Sequence, residues 1–240
     1  MEHLRETDHR VAVVTGASQG IGAGLVAGYR AQGWAVVANS RAIKPSDDPH
    51  VLTVEGDVSH PETADRIVTE ALQRFGRIDT LVNNAGVYIG KPFTDYTIDE
   101  YQLVVGVNLT GFFLVTQRVI AAMLERGAGH VVNVSTTLVE HADSGMPAVL
   151  ASLTKGGLVA ATRSLAIEYA SRGIRANAVS LGVIETPLNP PEAFAALAKL
   201  HPMGRVGQVS DVVAGVLYLE SASFVTGEIL HIDGGQSAGR

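Results

Sequence analysis

Short apolar runs alternate with amphipathic stretches along the whole chain. Val11-Ala12-Val13-Val14 is apolar without interruption, the pattern of a strand buried on both faces of a parallel sheet. Ala35–Asn39, Val51–Val54, Leu81-Val82, His130–Thr136, Arg175–Val179 and Glu228–Ile232 read as further strands. Between them lie stretches with helical periodicity. In Pro61–Phe75 the residues Ala64, Ile67, Val68, Ala71, Leu72 and Phe75 fall on one face. Helices are also expected over Ile21–Gln32, from Thr97 through Val115 and onward, over Ala148–Arg172, and over Val209–Leu219. Strand and helix alternate with no internal repeat. This predicts an α/β fold, one doubly wound parallel sheet of about seven strands with helices on both faces. Residues 189–207, rich in alanine and proline, read either as a mobile flap on the substrate side or as a static surface helix.

Composition narrows the possible functions. With 240 residues, 46% hydrophobic and 18% charged, the chain can bury a sizeable core as a single domain over 1–240. A net charge of −6, with no block of Lys and Arg, argues against a nucleic-acid partner. The absence of cysteine excludes disulfides, thiolate nucleophiles and cysteine-bound zinc, and fits a reducing compartment. The eight histidines show no pair at metal-ligand spacing, so no metal site is expected. The beginning, Met1–Asp8, is polar, and no apolar run approaches the roughly 18 residues a membrane span needs. A cytoplasmic protein without a membrane partner is the expectation.

Candidate chemistry clusters at the carboxyl ends of the strands. Gly16-Ala17-Ser18-Gln19-Gly20-Ile21-Gly22 follows the first strand and opens a helix, where glycines permit a tight turn and close approach to a pyrophosphate. Glycine loops also occur as plain turns. At the end of the second strand an acidic residue would bond the adenosine ribose of NAD(H) and repel a 2′-phosphate. The chain instead has Asn39-Ser40-Arg41, and a guanidinium suits a phosphate, so NADP(H) is favoured over NAD(H). The other reading of Arg41 is a solvated loop charge. Asn108 in the middle of a predicted helix is unusual, because its amide competes for backbone hydrogen bonds.

Taken together, these residues resemble the short-chain dehydrogenase/reductase family in its compact, single-domain, Rossmann-type form. The resemblance rests on Thr15-Gly16-Ala17-Ser18-Gln19-Gly20-Ile21-Gly22, Asp57 with Val58, Asn83-Asn84-Ala85-Gly86, Asn108, Lys155, Val225-Thr226-Gly227 and Asp233-Gly234-Gly235. It covers nearly the whole chain in order. It implies a dinucleotide held by Gly16, Ser18, Gln19, Gly20, Ile21, Gly22, Ser40, Arg41, Asp57, Val58, Asn84, Ala85, Gly86, Lys155, Gly182 and Ile184. It further implies a small-molecule carbonyl, imine or alcohol substrate, and a homotetramer or dimer built through the helices bearing Asn108 and Lys155 and the last strand. In the family a tyrosine four residues before the lysine gives the proton, and a serine or threonine positions the substrate oxygen.

The chain departs from that pattern where the acid should stand. The position four before Lys155 is Ala151, and the wider spacing of the family's enoyl reductases lands on Ala148. Thr136 stands where serine is usual, with Ser135 beside it, and Leu181 replaces the usual proline before Gly182. Thr136, Lys155 and Asn108 are therefore the expected catalytic residues. Another proton source must be found: His141 in Glu140-His141-Ala142-Asp143, Tyr88, or a water held by Asn108 and Lys155. Two functions follow, an oxidoreductase working without the tyrosine, or a dinucleotide-binding protein that has lost turnover and acts as a sensor or assembly partner.

Overall fold

The apolar runs become seven strands, β1 Val11–Thr15, β2 Ala35–Ser40, β3 Val51–Glu55, β4 Thr80–Asn83, β5 Gly129–Thr136, β6 Ile174–Leu181 and β7 Ile229–Ile232. The computed structural model describes residues 9–239, and the polar beginning Met1–Asp8 lies outside them. All seven strands belong to one sheet in the order β3-β2-β1-β4-β5-β6-β7, with every neighbouring pair parallel. Strand order reverses between β1 and β4, which opens a crevice at their carboxyl ends.

Side chains alternate across each strand, yet both faces are covered. Val11, Val13, Leu81 and Val131 join one core with Ile67 and Phe75 of α2 (Pro61–Phe75) and Val115, Val119 and Met123 of α4 (Phe112–Arg126). Ala12, Val14, Val82 and Val132 join the other with Leu25 of α1 (Gly20–Ala31) and Val212 and Val216 of α7 (Val209–Ser221). Two covered faces remove the need for polar alternation, which is why β1 and β2 read as unbroken apolar runs.

The expected long helix from Thr97 is interrupted. It begins as α3 (Ile98–Val105), capped by Thr97, whose Oγ1 accepts from Glu100 N at 3.2 Å while the Glu100 carboxylate accepts from Thr97 N at 2.8 Å. A π-helical turn over Gly106–Gly111 then buries Asn108 before α4 continues the rod. Contrary to the reading of the apolar runs, Ile98–Arg126 as one rod is long and apolar enough by composition to cross a membrane. Part of its apolar surface packs within the fold on α2, β4 and β5, and part, including Ile98, Leu103 and Phe113, is exposed.

Strand β6 runs on to Leu181, beyond the Val179 boundary that the apolar pattern suggested, because β5 and β7 supply hydrogen-bonding partners along both edges of Ser180 and Leu181. Helix α5 (Val149–Tyr169) crosses β5 and β6 and ends one turn early in a short 3₁₀ segment. Residues 189–207 form short helical turns around α6 (Phe194–Leu197). Backbone hydrogen bonds from Glu185 N to Gly207 O and from Gly207 N to Val183 O, each 2.8 Å, pin the ends of this segment together.

Candidate active site

The segment leaving β4 fixes the crevice. Thr15 Oγ1 accepts from Asn84 N at 3.1 Å and Ala85 N at 3.0 Å, and Asn84 Nδ2 donates to Thr15 O and Gly16 O at 2.9 and 3.1 Å. The glycine loop is thereby bonded to the neighbouring strand end. At Gly22 a Cβ would lie 2.1 Å from Gly16 O, so only glycine lets the first turn of α1 close on the loop. No side chain caps that turn, which leaves its amides directed at an anion in the crevice. These features fit a dinucleotide pyrophosphate.

Of the predicted cofactor residues, Gly16, Ser18, Gln19, Gly20, Ile21, Gly22, Ser40, Arg41, Asp57, Val58, Asn84, Ala85 and Gly86 line one cleft of about 450 Å³. Burial works to raise the Asp57 carboxyl, but hydrogen bonds from Ser59 and the charge of Arg41 hold it below the usual carboxylate range. Arg41 is exposed to solvent and stands in the wall of this cleft. Thr186, Pro187 and Leu188 close the far wall. Sequence reasoning missed them, although their place just after β6 is where the carboxyl-end rule for open α/β sheets looks for a ligand.

A second cavity of about 200 Å³ shares Ile21, Val87, Thr186 and Leu188 with the cleft. Lys155, Gly182, Ile184, Thr136, Ala151 and Tyr88 line it. Leu181 and Leu197 add walls, as do Met146 and Gln236, which the sequence did not suggest; Gln236 is held by Thr137 Oγ1 at 3.0 Å. Asn189 and Leu197 of the 189–207 segment also line this cavity.

Lys155 is largely buried and donates from Nζ to Val134 O at 2.7 Å. The amine passes so close over Gly86 that a Cβ there would sit 3.1 Å from Nζ. Burial pushes its pKa down to about 8. Ser135 and Thr136 both reach the cavity, but Ser135 is buried with Oγ turned to Lys155 O at 3.4 Å, whereas Thr136 is only half-buried.

Asn108 does not line this cavity. Its Oδ1 accepts from Val87 N at 2.8 Å, and its Nδ2 donates to Val87 O at 3.0 Å and Thr154 Oγ1 at 3.1 Å. The amide thus clamps the segment after Gly86 onto α5 and is a positioning group. The Glu140–Asp143 loop supplies no acid to the cavity: His141 is not among its walls, and Glu140 pairs with His231 of β7. Ala151 packs with Leu138 and Ala148 in a small apolar cluster. Among the described residues no group of three or more His, Asp or Glu side chains converges as for a metal.

Comparison with known proteins agrees with this geometry. A family model described as enoyl-(acyl carrier protein) reductase matches residues 16–237. The 3beta-hydroxysteroid dehydrogenase 1 of Eggerthella lenta is 38% identical over 247 residues, covering 95% of this chain and 94% of the relative. The solved structure of ElxO with NADP bound superposes with a TM-score of 0.90 at 26% identity, covering 96% of this chain and 100% of that one. The 3-ketoacyl-(acyl-carrier-protein) reductase from Brucella melitensis complexed with NADH superposes with a TM-score of 0.87 at 33% identity, over 95% and 98% of the two chains.

Two outcomes test the site's energetics. Asn84→Ala leaves the carbonyls of Thr15 and Gly16 without their side-chain donor, and should cost about 1–3 kcal/mol in urea unfolding and weaken dinucleotide binding. Lys155→Met should raise the melting temperature of the cofactor-free protein at pH 7. The folded-state pKa of about 8 lies below the value of ~10.4 for an unfolded chain, so the unfolded state binds more protons between these values. Wild-type stability therefore rises across that window, and the advantage of the methionine variant should shrink over the same range.

Proposed function

The chain belongs to the short-chain dehydrogenase/reductase family, and on that premise we propose that it is an NADP(H)-preferring oxidoreductase interconverting an apolar ketone and its secondary alcohol without a tyrosine acid. The observation that carries this reading is the continuity of the two spaces, since the dinucleotide cleft and the cavity holding Lys155 and Thr136 share four wall residues. A bound nicotinamide supplies or accepts the hydride. In this proposal Thr136 orients the substrate oxygen, Lys155 places its ammonium against the developing charge, and Asn108 keeps both in register through Val87 and Thr154.

The apolar lining supplied by Val87, Met146, Leu181, Ile184, Leu188 and Leu197 favours an uncharged, apolar substrate. The cofactor preference is supported by Arg41 at the end of β2, where no carboxylate would oppose a 2′-phosphate. Loss of a positioned acid costs about a hundredfold to ten-thousandfold in rate, roughly 3–5 kcal/mol, against total accelerations of at least about a millionfold. A working enzyme survives that loss. The exposed Phe113 of α4 and Ile167 of α5 support self-association through these helices.

Fluorescence titration should give at least about tenfold tighter binding of NADPH than of NADH, with Arg41→Ala removing most of the difference. Equal affinities in the parent protein would refute the preference. Absorbance at 340 nm with NADPH and a panel of cyclic and acyclic ketones should show turnover, and Ala151→Tyr should raise it by up to about a hundredfold. A panel with no turnover despite tight NADPH binding would sink the oxidoreductase reading.

A further inference from the structure

The substrate cavity offers few sources for a proton. Its titratable lining side chains are Tyr88 and Lys155, and none is contributed by β5, β6, the 189–207 segment or the carboxyl-terminal segment. Tyr88 stands at the rim, 39% exposed, and burial together with the neighbouring Tyr96 moves its phenol further from neutrality. Lys155 is placed differently. It sits one helical turn after Ala151, so the two side chains share a face of α5. With only a methyl at 151, no longer side chain from that turn stands between the amine and the cavity. Among the described residues no carboxylate pairs with Lys155, and Val134 O accepts one of its three protons. Two N–H groups remain for ligands.

We propose that Lys155 is itself the proton donor to the carbonyl oxygen held by Thr136, filling the role that Ala151 leaves open. The proposal rests on the oxidoreductase reading above. In reduction, the carbonyl carbon gains a hydride from the reduced nicotinamide and the π pair of the C=O bond moves to oxygen. That oxygen takes a proton from Lys155 Nζ, forming the alcohol and leaving a neutral amine that solvent reprotonates. In oxidation the neutral amine accepts the hydroxyl proton. An amine titrating at about 8 is matched to both directions near neutral pH, which an ordinary lysine at ~10.4 is not. The same burial that destabilises the ammonium makes it the more willing donor.

The first test needs no turnover. Competitive acetylation of the cofactor-free protein across pH, read by peptide mass spectrometry, should give Lys155 a reactivity midpoint near 8. A midpoint at the ordinary lysine value of ~10.4 would overturn the proposal. The second uses cyclohexanone and NADPH. Reduction should fall as pH rises through about 8, and Lys155→Arg, a cation that does not release its proton, should lose at least about a hundredfold. Lys155→Ala should be partly restored by added methylammonium. NADPH affinity of each variant, measured by fluorescence, separates lost binding from lost proton transfer. Turnover that is flat through this pH range, or Lys155→Ala that methylammonium does not restore, would overturn the donor assignment and leave the oxidoreductase reading standing. Absence of any turnover across the ketone panel would remove both.

Discussion

Everything in the site hangs on where the chain goes after β4. Asn84 is bonded by backbone and side chain to Thr15 and Gly16, and three residues later Val87 is held by both ends of the Asn108 amide. Between these anchors Gly86 lies flat enough for the Lys155 amine to pass over it. The glycine loop, the π turn and helix α5 are thereby fixed relative to one another by one four-residue stretch. A polar ladder continues inward, with Asn83 Nδ2 donating to Thr116 Oγ1 and Asn133 Oδ1, and Asn133 Nδ2 to Thr162 Oγ1. Buried amides of this kind are tolerated because each finds its partners.

That scaffold holds Lys155 where a charge is unwelcome. The lysine stands in a largely apolar cavity with a carbonyl as its acceptor and no counter-ion among the described residues. Such a placement costs stability and is retained where it serves chemistry. One helical turn earlier the environment is the opposite: the Ala151 methyl packs against Leu138 and Ala148. On its other side Ala151 forms part of the wall of the cavity that holds Lys155, so its methyl leaves open space there.

Much of the fold could be read from the chain because seven apolar runs in a doubly covered sheet leave a strong signal. Boundaries failed where the signal depends on partners. Ser180 interrupts the apolar pattern of β6, and only its pairing to β5 and β7 keeps it in the strand. The π turn was foreshadowed by Asn108 but not identified, since periodicity over Ile98–Arg126 is nearly continuous. The residues lining the large cleft were legible where they lie in contiguous motifs at the ends of β1, β2, β3 and β4. Met146 and Gln236 were not, because they meet only through the path of loops. His141 looked chemically suitable, yet its loop turns Glu140 toward β7.

The central claim is that hydride transfer survives on this scaffold with alanine at 151. Its most direct measurement is the fate of isotope from NADPH deuterated at the nicotinamide 4-position, incubated with the protein and a ketone panel and read by mass spectrometry of the alcohol. The account predicts deuterium on the carbinol carbon from one of the two 4-deuterated stereoisomers only. Label from neither isomer, with NADPH bound and recovered unchanged, would contradict it.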